Sequence, residues 1–426
     1  MIIITSPPEK FAGELVMPGD KSITHRALLL GAIARGVTEI KGYLEAGDSI
    51  STAACLRALG VKISKRPDRL LVEGSDMVLK RPEESLYAGN SGTTARLLLG
   101  ILAGQNFSAT LTGDSSLQKR PMKRVIEPLS LMGAEFNSNN DHLPLTIQGG
   151  SLKPISYQSP RSSAQVKSSV LLAGLYADGE TVVEEPYQSR NHTELMLQLF
   201  GADLQVDGCR ISVRGPSRLR GTQVRVPADI SAAAFFMIAA AIVPDSEVLL
   251  KNIGINPSRS GIVEVLLEMG ADLELLNKRI WGNEPVADIR VRGNRKLKGI
   301  TIGGEMIPRL IDEIPVLAVA AALAEGKTVV KDAAELRVKE SDRITALCMQ
   351  LNALGSGITE KEDGFEITGG AKLKGAKVSS CDDHRIAMAL AVAGLAAEGE
   401  TVVEGAEAIG ISFPGFMAAL RTLVTK

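Results

Sequence analysis

AEGKTVVKDA at residues 324–333 returns as AEGETVVEGA at 397–406 and, loosened, as ADGETVVEEP at 177–186. In each copy a turn residue separates an apolar run from an alternating segment, the pattern of a helix end followed by a strand. Three further copies complete the set: ARGVTEIKGYL from 34, AGQNFSATLTGD from 103 and VPDSEVLLKNI from 243. Their turn residues, Gly36, Gly104, Gly179, Asp245, Gly326 and Gly399, lie about 65 to 80 residues apart, too far for a solenoid and right for a small α/β unit. The spacing predicts six such units, three to a lobe, with the boundary near RVPAD at 225–229.

Ahead of each turn stands an almost wholly apolar run: ALLLGAIA, ARLLLGILA, VLLAGLYA, AAAFFMIAAAIV, PVLAVAAALA and IAMALAVAGLAA. A helix apolar all round belongs inside a lobe. A second phrase, LRALGVKI (56–63), LSLMGAEF (129–136), LQLFGADL (197–204), LLEMGADL (266–273) and LNALGSGI (351–358), has leucines on one helical face and a glycine stop. These amphipathic helices would cover the outside, with mixed sheets between the layers. The N-terminal strand MIIITSPP fits the sheet of either lobe.

At 426 residues the chain exceeds one ordinary core, and 45% hydrophobic with 23% charged residues excludes a disordered protein. Lys and Arg number 48 against 49 Asp and Glu, so no general attraction to nucleic acid or anionic membrane is expected. The longest apolar run, AAAFFMIAAAIV, is shorter than the roughly 20 residues a bilayer needs, and MIIITSPPEK lacks a signal-type pattern. A cytoplasmic protein without nucleic-acid or membrane partners is the expectation. Cys55, Cys209, Cys348 and Cys381 stand far apart without a CxxC pair, which suggests reduced thiols rather than a disulfide framework or zinc site.

Polar residues gather just before the six buried helices: DKSITHR, AGNSGTTAR, SSAQVKSS, PADISA, RLIDEIP and CDDHRI. Helix N-termini present free N–H groups and the positive end of the macrodipole, so they favour anions. Asp, Ser, Asn and Thr also serve there as plain caps. Caps do not account for cations: Lys21, Arg26 and Arg96 read as lying at or inside first turns, where the dipole penalises positive charge unless an anion binds. Lys119, Arg120, Lys123, Arg124, Arg190, Lys339, Arg343 and Arg385 add to the supply. GNSGTTAR (89–96) lacks the GxxxxGK[ST] pattern of nucleotide loops, yet its glycines let backbone approach a small anion. His25 and His384 lie inside these motifs and His192 in QSRNHTE, the His192 and His384 contexts lack HExxH-like metal spacing, and no metal is expected. The acid–base candidates are Asp312 and Glu313, placed at the start of the fifth buried helix, and Glu340 in RVKESDR.

PGDKSITHR, LYAGNSGTTARLLLGILAG, KRPMKRVIEPL, SSAQVKSSVLLAGL, SRNHTE, IPRLIDEIPVLAVAA, RVKESDRI and DDHRIAMAL occur in order from residue 18 to 390. Together they closely resemble the 5-enolpyruvylshikimate-3-phosphate (EPSP) synthases in their common bacterial form. The resemblance implies a two-lobed inverse α/β barrel of six βαβαββ repeats. Its first lobe would be residues 18–226, its second residues 1–17 plus 227–426, with the active site in the cleft between them. It implies transfer of the enolpyruvyl group of phosphoenolpyruvate to the 5-hydroxyl of shikimate-3-phosphate through a tetrahedral intermediate, with no cofactor, by a monomer. By similarity, Lys21, Ser22, Arg26, Ser163, Gln165, Arg190, Asp312 and Lys339 would bind shikimate-3-phosphate. Lys21, Gly92, Arg120, Gln165, Arg343 and Arg385 would bind phosphoenolpyruvate. Asp312, Glu340, Lys21 and Lys339 would carry the chemistry, and Gly92 would leave room for the inhibitor glyphosate. One departure stands out: Ile411 precedes Ser412-Phe413-Pro414 where many relatives place a lysine, and Lys123 or Arg124 are its candidate replacements. Two rival readings are the UDP-N-acetylglucosamine enolpyruvyl transferases and a non-catalytic anion-binding protein of this fold. The first uses a loop cysteine, and KRPMKR at 119–124 has none.

Overall fold

A computed structural model describes residues 1–425. The chain divides into two compact units. The first comprises Gly19–Val226 with Trp281–Glu284, and the second Met1–Pro18, Pro227–Ile280 and Pro285–Lys426.

The first unit holds three four-stranded sheets, and the second holds sheets of three, four and five strands. All six are mixed. In the first unit Gln223–Arg225 runs parallel to Val37–Lys41, Leu86–Tyr87 to Ser108–Thr112, and Ser156–Gln158 to Gly179–Glu184, each followed by antiparallel partners. The second unit repeats the arrangement at Thr301–Ile302 with Lys327–Val330 and at Lys377–Ser379 with Thr401–Glu404. Both N-terminal strands join the second unit: Ile2–Thr5 pairs antiparallel with Thr401–Glu404, and Lys10–Val16 parallel with Glu247–Gly254. Five of the six repeated turns use a left-handed residue, and the exception is Gly104 with φ of −88°. Gly36, Gly179, Asp245, Gly326 and Gly399 have φ of 93°, 134°, 55°, 91° and 87°.

The six apolar runs form helices Lys21–Ile33, Gly92–Ala103, Ala164–Gly174, Ile230–Ile242, Ile314–Leu323 and His384–Ala393. Three pack in the core of each unit. Gly100 lets the second and third touch, because a Cβ there would overlap the Ser169 carbonyl. Helices Gly47–Ala58, Lys123–Met132, His192–Leu199, Gly261–Glu268 and Arg343–Ala353 carry the second phrase. The sixth repeat has no copy of that phrase; its outer helix is Phe416–Leu423, and Phe235, Phe236, Phe413 and Phe416 form an aromatic cluster with edge or tilted contacts. Such pairs add about 0.5–1.5 kcal/mol each beyond their buried area.

Candidate active site

The residue before a buried helix is its cap in five cases of six. Side-chain oxygens of Asp20, Ser91, Ser163, Asp229 and Asp383 accept from the backbone N–H of Ile23, Thr94, Val166, Ser231 and Arg385. Helix Ile314–Leu323 instead starts from Glu313 with Pro315 in its first turn and no side-chain cap bond. Asp312 and Glu313 therefore precede that helix rather than begin it, and Asp312 sits in the turn after Met306–Leu310.

Two cations lie deeper than the sequence suggests. Arg26 and Arg96 occupy second turns, not first turns. Their head groups reach the helix start because helical side chains lean toward the N-terminus. Arg26 Nη1 donates to the Ser22 carbonyl at 3.0 Å.

In the first unit, Lys21 pairs with Asp48 at 3.2 Å, and Arg190 donates to Ser22 Oγ at 3.1 Å. Arg26 is buried and donates to Thr193 Oγ1 at 2.6 Å and Ser168 Oγ at 2.8 Å. Burial pulls its pKa down to about 10, against the opposing pull of Glu194. Gln165 bridges two helix starts: its carbonyl accepts from Arg96 at 2.6 Å and its amide donates to Thr93 Oγ1 at 3.1 Å. Arg120 donates to Asn90 at 2.6 Å. A Cβ on Gly92 would stand 2.8 Å from the Arg96 guanidinium and 3.6 Å from that of Arg120, so this glycine lies against two cations. Ser163 is tied through its backbone N–H to Glu185 at 2.7 Å. His25 and His192 are buried structural groups, bonded through Nδ1 to Thr52 at 2.7 Å and Glu284 at 2.6 Å.

In the second unit one guanidinium organises the carboxylates. Arg343, fully buried, meets Asp383 at 2.8 Å, Glu340 at 2.5 Å and Asp312 at 3.3 Å. Burial alone would lower its pKa, but Asp383, Glu340 and Asp312 more than reverse this and raise it. The Asp383 carboxyl is held below its ordinary range: Arg343 outweighs the upward push of burial and of Glu340. Asp312 also meets Arg385 at 3.6 Å and Arg259 at 3.7 Å, while Arg385 Nη1 donates to the Asp312 carbonyl at 2.9 Å. Lys339, at the end of a short helical turn, lies 3.7 Å from Glu335.

Asp312, Glu340, Arg343 and Arg385 are thus joined in the second unit. Lys21, Ser22, Arg26 and Arg190 cluster in the first, as do Gly92, Arg120 and Gln165. Lys123 is exposed and pairs with Glu127 on its own helix at 3.6 Å. Sequence reading passed over Arg259, in NPSRSG, and the buried Lys167, Glu185 and Glu194. A lysine inside an apolar helix was the available signal, because such a charge is buried only when paired. Among the described residues, no group of three or more His, Cys, Asp or Glu is placed to hold a metal, and no helix is long and apolar enough to cross a membrane.

Cations with hydroxyls at one set of helix starts and acid–base groups with arginines at the other define an α/β enzyme for small, highly anionic substrates. The model of the EPSP synthase family, 3-phosphoshikimate 1-carboxyvinyltransferase, matches residues 5–420, and the chain belongs to that family. The enzyme of that name from Thermoanaerobacter pseudethanolicus is 55% identical over 405 residues, covering 95% of this chain and 96% of its own. The one from Synechocystis is 54% identical over 428 residues, covering 98% and 96%. The solved EPSP synthase from Acinetobacter baumannii superposes with a TM-score of 0.88 at 46% identity, covering 99% of this chain and 98% of its own. The fold is therefore the two-lobed α/β fold of six repeats, and the protein is a transferase of the shikimate pathway. It moves the enolpyruvyl group of phosphoenolpyruvate onto shikimate-3-phosphate and releases phosphate.

Proposed function

We propose that the two sets of side chains share one pair of substrates, with Ser22, Arg26, Ser163, Gln165, Arg190 and Lys339 on shikimate-3-phosphate. Gly92, Arg120, Arg343 and Arg385 take phosphoenolpyruvate, and Lys21 serves both. The observation that carries this reading is Arg343, whose guanidinium links Asp312 to Glu340. An opposite charge this close favours the ionised carboxylate. Asp312 accepts the 5-hydroxyl proton as the oxygen attacks C2 of phosphoenolpyruvate. Glu340 gives a proton to C3 in the same addition. A substrate phosphate or carboxylate competing for Arg343 loosens its hold on Glu340, which permits that carboxyl to carry the proton. In the elimination C3 returns a proton to Glu340, the C2–O bond to phosphate breaks, and the hydroxyl proton leaves with the phosphate. Lys21 and Lys339 stabilise the charge that develops.

Glu340→Gln is expected to lower kcat by at least about 100-fold and to abolish deuterium wash-in at C3 from heavy water. Asp312→Asn lowers kcat by a similar factor. Normal wash-in by folded Glu340→Gln would remove Glu340 as the proton carrier. We further propose that the enzyme acts as a cytoplasmic monomer without a cofactor and that Gly92 leaves it open to glyphosate. Unchanged turnover in millimolar glyphosate would end that last claim.

A further inference from the structure

Lys167 stands in helix Ala164–Gly174 with its side chain fully enclosed. Its ammonium lies 2.9 Å from Glu185 and 2.7 Å from Glu194, both also enclosed, and donates to the Ser189 carbonyl at 3.3 Å. Burial would lower the lysine pKa, yet Glu194 and Glu185 outweigh it and raise the value, so the ammonium is retained.

The hydrogen bonds of Glu185 show what the cluster holds. Among the described residues, its carboxylate serves Lys167, Ser163 and Ser189 alone. Oε1 accepts from Ser163 N at 2.7 Å, Ser189 Oγ lies 2.8 and 2.7 Å from the two oxygens, and Ser189 N donates to Oε2 at 3.3 Å. Ser163 is the cap of its helix, and Ser189 precedes Arg190, which reaches Ser22. Glu194 follows Thr193, whose hydroxyl holds Arg26.

The fold itself does not ask for these charges. Aligned on the repeated turn, Lys167 corresponds to Ile314 and Ala387, both buried apolar residues, and Glu185 to the exposed Asp332 and to Gly405. These two repeats build the same helix and sheet with no lysine–carboxylate pair at these positions. Buried ion pairs are also poor stabilisers compared with apolar packing.

We infer that the Lys167–Glu185–Glu194 cluster fixes the positions of Ser163 and Arg190, so that Glu185 is a positioning residue for shikimate-3-phosphate. This rests on the assignment of Ser163 and Arg190 to that substrate.

The test compares Glu185→Gln, the neutral triple variant Lys167→Met/Glu185→Gln/Glu194→Gln, and Arg190→Ala, using calorimetric titration with shikimate-3-phosphate and steady-state kinetics. In Glu185→Gln the new amide NH₂ faces donors, either the Lys167 ammonium and Ser189 or Ser163, so one loop loses its anchor. Affinity for shikimate-3-phosphate is expected to fall about 10- to 100-fold, while KM for phosphoenolpyruvate stays within about twofold. If Glu185→Gln does not fold, the triple variant, which leaves no unpaired charge, is expected to show the same split. Weak binding by Arg190→Ala beside unchanged binding by a folded Glu185 variant overturns the positioning role alone. Unchanged binding by Arg190→Ala overturns the substrate assignment and the inference with it.

Discussion

Arg26 and Arg343 are both enclosed arginines near the start of a helix, one in each unit, and their surroundings are opposite. Arg26 bonds two hydroxyls and a carbonyl, and burial lowers its pKa to about 10. Arg343 meets three carboxylates, and its pKa is raised. A desolvated cation among neutral partners gains most when an anion arrives. One surrounded by carboxylates already has part of its counter-charge, gains less from an arriving anion, and also fixes where those carboxylates stand. Under the proposed assignment, Arg26 in an inner helix serves binding, whereas Arg343 at the start of an outer helix also holds the acid–base groups.

Substituting the two arginines tests that contrast. Arg343→Met leaves Asp312, Glu340 and Asp383 together without their shared cation, and unfolding in urea is expected to show a loss of about 3–5 kcal/mol. A loss below about 1 kcal/mol would mean that the carboxylates do not depend on it. His25, beside Lys21 and Arg26, gives the next effect. Burial, then Lys21 and Arg26, lower its pKa from 6.5 to about 3. The folded protein keeps this imidazole neutral while the unfolded chain protonates it. The stability it contributes is full above about pH 6.5 and is lost as pH falls toward 3. Between pH 7 and pH 4, His25→Asn is therefore expected to lose about 3 kcal/mol less than the parent chain. Equal losses would show that His25 titrates normally. The smallest change belongs to Arg26→Met. Without ligand its stability should stay within about 1 kcal/mol of the parent, because no carboxylate pair is broken. Its affinity for shikimate-3-phosphate should nevertheless fall, and a stability loss as large as that of Arg343→Met would erase the contrast.

The six apolar helices were readable because a helix apolar on every side has only one place to go, and the turns because Gly36, Gly326 and Gly399 take a conformation other residues resist. The polar clusters at the helix starts were readable for the same local reason: Asp20, Ser91, Ser163 and Asp383 act within three residues of themselves. Arg26 and Arg96 were placed one turn too early, since position along the chain does not show how far a long side chain leans back. Arg259, 53 residues before Asp312 in the chain, carried no local signal at all. The enclosed triad of Lys167, Glu185 and Glu194 shows the same limit. Lys167 is visible as a charge in an apolar helix, but its partners come from a strand end and another helix. Periodicity, caps and turns act between near neighbours, so the amino-acid order specifies them directly. Pairings between distant charges exist only once packing has removed water and brought the elements together, and those pairings decide which arginine stands among neutral hydroxyls and which stands among carboxylates.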